Sequence, residues 1–177
     1  MKNTEESSFV PVNYQEIQEI IARESEKKEV GVFIEKIKSF GKRPDSIVYP
    51  SDVLEFAKKG ATSFHFSEEL WENPLALMQG VSKKNIDSLR IGWDLIIDID
   101  APFEFSKICA FVIANAMEYH GIKNYSIKFS GNKGFHIGVP FESFPSSVNG
   151  VKIKDLFPEG AVRIANYLKE FMKKNLQ

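Results

Sequence analysis

The feature that most constrains this chain is an apolar run ending in two acids, residues 93–100, WDLIIDID. Apolar residues alternate with acids at its end, which predicts a strand over residues 93–100. In a strand, residues i and i+2 share a face, about 6.5–7 Å apart along the chain. Asp98 and Asp100 therefore stand side by side on one surface, and Ile97 and Ile99 turn the other way, into a core. A strand this apolar belongs at the centre of a sheet, with its charged end opening onto a crevice. Two like charges so close repel, and divalent cations between them remove the repulsion. Hard oxygen ligands favour Mg²⁺ or Mn²⁺, which take one or two carboxylates together with substrate phosphates. Plain solvation of a strand end is the other reading of Asp98 and Asp100 taken alone.

The residues after these acids are equally patterned. Residues 105–120 are apolar-rich and helical, with Gly121 as the stop. Residues 124–130 (NYSIKFS) and 134–139 (GFHIGV) read as two strands about a short turn. The order strand, helix, strand, hairpin, strand predicts a sheet with a crossover helix packed on one face. The turn is Ser130-Gly131-Asn132-Lys133-Gly134-Phe135-His136. Its two glycines allow backbone conformations that other residues avoid, so successive N–H groups can aim at an anion. Lys133 adds a point charge suited to phosphate. Phe135, Ile137 and Val139 alternate inward, so His136 faces the other side with Gly138. Ser130 and His136 then flank the turn and can both bond phosphate oxygens. A simple hairpin with an exposed lysine and a surface histidine is the alternative for this stretch alone.

The rest of the chain supplies a frame. Residues 13–28 carry Ile17, Ile20 and Ile21 at helical spacing, with Asn13 as N-cap. Residues 31–38 are expected to form a second helical piece, and residues 46–49 a short strand. A helix capped by Ser51 runs to Lys59 and ends at Gly60. Residues 61–66 read as a strand, and Ser67-Glu68-Glu69-Leu70 as a helix start that stops before Pro74. Residues 143–150 form a loop. A final helix over residues 159–174 carries Ala161, Val162, Ile164, Ala165, Leu168 and Phe171 as one apolar stripe. The expected organisation is a small, mainly helical lobe over residues 1–60 and an α/β (mixed α+β) core over residues 61–177, with the active cleft at their junction.

Composition narrows the class of function. The chain has 177 residues, 43% of them hydrophobic and 27% charged, an ordinary globular balance. The lone Cys109 excludes an intrachain disulfide and a cysteine-based zinc site. The longest apolar run, residues 108–114, is far shorter than a spanning helix needs. No apolar signal segment opens the chain, so a cytoplasmic protein with no membrane association is expected. The net charge of −1 hides an asymmetry: residues 123–177 carry 9 basic and 4 acidic groups, 9 − 4 = +5. A basic C-terminal third suits phosphate, and an ordinary solvated lysine face suits it as well.

Taken together, the paired acids, the crossover helix and the Ser-Gly-x-x-Gly-x-His turn resemble the archaeo-eukaryotic primase superfamily. That group holds the small catalytic subunit of archaeal and eukaryotic DNA primase and the polymerase domains of bacterial end-joining ligases. The resemblance covers residues 90–140, and its flanks look like the single-domain archaeal branch. It implies a primase-polymerase core with an RRM-like sheet lobe. It implies that Asp98 and Asp100 are catalytic and bind Mg²⁺ or Mn²⁺. It also implies that Ser130, Gly131, Lys133, Gly134 and His136 contact a nucleoside triphosphate. Arg90, ahead of the first motif, either reaches a phosphate of that nucleotide or has a surface or ion-pair role. The implied partners are nucleoside triphosphates, a DNA template lying on the basic C-terminal third, and a primase large subunit.

One departure matters. The family places a third aspartate on a strand well after the histidine motif. This chain offers Glu142, Asp155, Glu159 and Glu170 after His136, and neither Asp155 nor Glu142 lies in an apolar strand like that of Asp98. The alternative expectation is therefore a non-catalytic nucleotide- or nucleic-acid-binding module that works with a partner subunit. Single residues add smaller expectations. His65 either faces the same crevice or is structural, Asp94 caps or solvates its strand, Cys109 packs in the core, and His120 suits a helix C-terminus.

Overall fold

A computed structural model describes residues 13–78, 80 and 82–175. The chain divides into two compact units, one ending at Phe66 and one beginning at Ser67. The fold is mixed α+β in both.

In the first unit, helix α1 (Tyr14–Glu24) is N-capped by Asn13, whose side chain accepts from the N–H groups of Gln15 and Glu16. Strand β1 (Val30–Ile34) follows, then β2 (Ser39–Phe40), helix α2 (Pro50–Lys58) and β3 (Ala61–Phe66). The strands form one antiparallel sheet in the order β2-β1-β3. Val30, Val32, Ile47 and Val53 are its buried core. This corrects the expectation of a second helical piece over residues 31–38. The segment VGVFI is β-branched and aromatic, and it gains more from pairing with β3 than from a second helix. Because β3 completes that sheet, the unit extends to Phe66. Residues 46–49 are irregular rather than a strand. Tyr49 is the N-cap of α2, and the Asp52 carboxylate takes the N–H groups of Val48 and Tyr49 at 2.9 Å.

In the second unit, β4 (Glu69–Trp71) stands where a helix start is expected. It pairs antiparallel with β5 (Arg90–Trp93), beyond a short helix α3 (Lys83–Leu89). Next come β6 (Leu95–Ile99), helix α4 (Phe103–Tyr119), β7 (Ser126–Phe129) and β8 (Phe135–Val139). A small hairpin, β9 (Ser147–Val148) and β10 (Val151–Lys152), leads to helix α5 (Glu159–Asn175). The single strand expected over residues 93–100 is broken at Asp94. The Asp94 backbone N–H donates to the Glu68 carbonyl at 2.8 Å, and its carboxylate accepts from the Phe141 N–H at 2.9 Å. That anchor hands the chain from the β4-β5 pair to a second sheet.

The second sheet has the order β6-β8-β7, with β8 antiparallel to both neighbours. β6 and β7 are therefore parallel, linked by α4, with β8 inserted between them: a split β-α-β unit. One face is the core. Ile137 is fully buried, and Leu95, Ile99 and Val139 are nearly so, against Ala110, Ile113 and Met117 of α4 and Leu168 of α5. On α5 the stripe is narrower than its sequence suggests, because Val162 and Ala165 are exposed. Trp93 is buried too. Its indole N–H donates to the Ile153 carbonyl at 2.8 Å and its ring lies 5.1 Å from that of Phe144. Cys109 is partly buried against this core. The outward side of α4 carries exposed Phe105, Ile108 and Phe111.

The two faces of β6 and β8 make opposite predictions for truncation. Ile137→Ala leaves a cavity in the central strand and should cost about 2–5 kcal/mol in chemical denaturation. Ile96→Ala, on the open face at 38% exposure, should cost less than about 1 kcal/mol, since little apolar area is lost there.

Candidate functional site

The open face of the second sheet gathers the polar residues of both motifs. Strand register sets Asp98 of β6 directly opposite His136 of β8, and His136 directly opposite Lys128 of β7. A row of carboxylate, imidazole and ammonium thus crosses three strands. His136 Nε2 lies 3.4 Å from a carboxylate oxygen of Asp98, and Lys133 Nζ lies 3.7 Å from one of Asp100. All four side chains are solvent-accessible, from 36% for His136 to 72% for Asp100. Exposed ion pairs of this kind hold weakly, so either partner can be exchanged for a ligand's charge.

The turn between β7 and β8 is closed from within. The Ser130 N–H donates to the Gly134 carbonyl at 2.9 Å, and the Gly134 N–H donates to Ser130 Oγ at 3.0 Å. Ser130 Oγ is an acceptor in this bond, which leaves its own proton to give. Gly131 adopts φ +93°, a conformation that L side chains rarely adopt. The N–H groups of Gly131, Asn132 and Lys133 donate to no described residue. Gly134 is required for a different reason. A Cβ there would overlap the carbonyl oxygen of Ile99, because the turn lies against the end of β6. That contact holds Lys133 beside Asp100. Gly138 clears space further along the same face, where a Cβ would meet Ser126 Oγ at 3.2 Å.

Among the residues expected at the site, Asp98, Asp100, Ser130, Gly131, Lys133, Gly134 and His136 are brought together at one end of this sheet. Arg90 is not: of its two expected roles the nucleotide contact is corrected and the ion pair is the one found. Its guanidinium is nearly buried, bonded to Glu69 at 2.7 and 3.0 Å and to Asp87 at 3.0 Å, and it sits over the rings of Trp71 and Phe157. A cation desolvated and paired in this way holds β4, β5 and α3 together and is not offered to a phosphate. His65 lies in the first unit, with Nε2 3.0 Å from Ser63 Oγ and its ring edge-on to Phe40. Lys128 is the residue that sequence reasoning passed over. The alternation in Ser126-Ile127-Lys128-Phe129-Ser130 already placed it on the same face as Ser130.

The donors bear on which metal chemistry is open. Asp98 and Asp100 suit an ion that takes one or two carboxylates and fills its remaining positions with substrate oxygens. Among the described residues, no three His, Cys, Asp or Glu side chains form a group that could hold a metal. Asp155 instead lies 3.5 Å from Lys154 Nζ, in a 3₁₀ turn over Ile153–Leu156. Glu142 belongs to the turn Phe141–Ser143. Neither joins Asp98 and Asp100 in such a group.

No family model matches the chain. It is similar to MJECS07, an uncharacterized protein of Methanocaldococcus jannaschii, at 34% identity over 86 residues. The match covers 48% of this chain and 19% of that protein, so the chain spans about a fifth of the relative's length. No described helix is long and apolar enough to cross a membrane.

Two substitutions test this construction. Gly134→Ala should destabilise the second unit by about 2 kcal/mol or more, because a backbone atom blocks the added methyl and the hairpin must move. Arg90→Ala should cost about 3 kcal/mol by leaving Glu69 without its buried partner. Urea denaturation of each variant measures both.

Proposed function

We propose that this chain is a primase-polymerase-like nucleotidyltransferase module that binds a metal–nucleoside triphosphate on the open end of its second sheet. The observation that carries the reading is at one end of the sheet: the register of β6 and β8 sets Asp98 against His136, and the turn before β8 sets Lys133 beside Asp100. Carboxylates for a cation, and an ammonium and an imidazole for a polyphosphate, then lie within one ligand's reach. Asp98 and Asp100 are the residues that would hold Mg²⁺ or Mn²⁺. Such an ion, when bound, supplies Lewis-acid activation of an attacking 3′-hydroxyl and neutralises charge on departing pyrophosphate. Lys133 and His136 would release their carboxylate partners and take phosphate oxygens. Ser130 would donate its hydroxyl proton, and the free N–H groups of the glycine turn would add further donors. Lys128, exposed beside His136, extends the positive surface along β7. A DNA template would follow the basic C-terminal third by backbone contacts. On this reading the protein works in the cytoplasm, with its template and a large-subunit partner.

A second reading, binding without turnover, draws support from the missing three-ligand group among the described residues. In that case a partner chain would complete the metal site, and this chain alone would capture nucleotide.

One experiment separates the readings. Titration with a nucleoside triphosphate in Mn²⁺ should saturate at one site. Lys133→Ala should weaken binding about tenfold, the value of one charge-assisted hydrogen bond. Asp98→Asn with Asp100→Asn should abolish the Mn²⁺ dependence. Primer extension by the wild-type chain supports the enzyme, and binding without extension supports the module. Extension that survives loss of both aspartates would overturn the assignment.

A further inference from the structure

On the other face of the same sheet, a cavity of about 420 Å³ opens among β6, β8, α4 and α5. Its walls include Leu95 of β6, Val139 of β8, Met117 of α4, and Ile164 and Leu168 of α5. The volume lies within the range of small-molecule sites. The polar side chains in the lining are His120, Ser143, Arg163 and Tyr167. Arg163 and Tyr167, four residues apart on α5, share a face of that helix. The Tyr167 hydroxyl lies 2.9 Å from Nε2 of His120 at the end of α4. Arg163 is exposed and makes no ion pair with a described carboxylate.

This lining selects its ligand. A sugar or nucleobase entering would leave its polar atoms unpaired against Leu95, Val139 and Leu168, which is unfavourable. An apolar body fits instead. The guanidinium offers two parallel donors, the geometry a carboxylate accepts. We infer that the cavity between α4 and α5 binds an apolar monocarboxylate, with the chain or ring against Leu95, Val139 and Leu168 and the carboxylate on Arg163. The site is separate from the nucleotide face. Leu95 and Val139 point to the core side of β6 and β8, and Asp98 and His136 point to the open side.

Hexanoate, octanoate and decanoate are the probes, titrated calorimetrically into the full chain with no nucleotide or metal present. Affinity should rise about fourfold for each added methylene, the value of burying that group. Decan-1-ol should bind about tenfold more weakly than decanoate, and Arg163→Gln should erase that difference, since the charge-assisted bond is lost. Arg163 is exposed, so this variant keeps its fold. Methyl-resolved NMR should place the shifts on Val139, Ile164 and Leu168. Three results would each overturn the inference: no saturation with decanoate, equal affinity for decanol and decanoate, or shifts confined to Ile108 on the outward side of α4.

Discussion

The register of β8 between β6 and β7 governs the second unit. Side chains alternate along a strand, so a slip of one residue would put His136 in the core and Ile137 in solvent. The core prevents this, because Ile137 is fully buried against α4 and its neighbours Phe135 and Val139 point the same way. The open face inherits its order from that preference. Asp98, His136 and Lys128 are aligned because Ile97, Ile137 and Ile127 are aligned beside them. The arrangement of charged groups is a by-product of burying apolar ones.

Much of this unit could be read from residue order. The run from Leu95 to Ile99, the helix after it and the alternation in Phe135–Val139 each satisfy one periodicity cleanly. The two motifs land on one face because period-two arithmetic is insensitive to tertiary context. The failures have identifiable causes. The segment around Val30–Ile34 is short and apolar, and its strand character comes from β3, about thirty residues later. Glu69–Trp71 resembles a capped helix start until β5 is available as a partner. Residue order leaves Arg90 open between a phosphate contact and an ion pair, because Glu69 is distant in sequence and Trp71 and Phe157 are not adjacent to it. A side chain's partners across more than one element leave no trace in local pattern.

The sheet separates two kinds of chemistry. Its open face is exposed and charged, with weak pairs that a stronger ligand can replace. Its covered face is mainly apolar, and His120, Ser143, Arg163 and Tyr167 are the polar side chains lining its cavity. A buried polyphosphate would have to shed water from every oxygen, whereas an exposed one keeps part of its hydration and its counterions. An apolar acid faces the reverse balance. The two faces are thereby suited to ligands that do not compete for one another's site.

Gly134 has a further meaning for how such a motif persists through descent. Its lack of a side chain is demanded by the carbonyl of Ile99, a requirement of folding that holds with or without any chemistry at the site. A lineage with no chemistry at this surface would still be obliged to keep that glycine, along with the inward residues of β8. Lys133 and Asp100, which project into solvent and support little else, would be released to drift. In any set of descendants of this chain, those two positions carry the record of whether the surface serves a ligand.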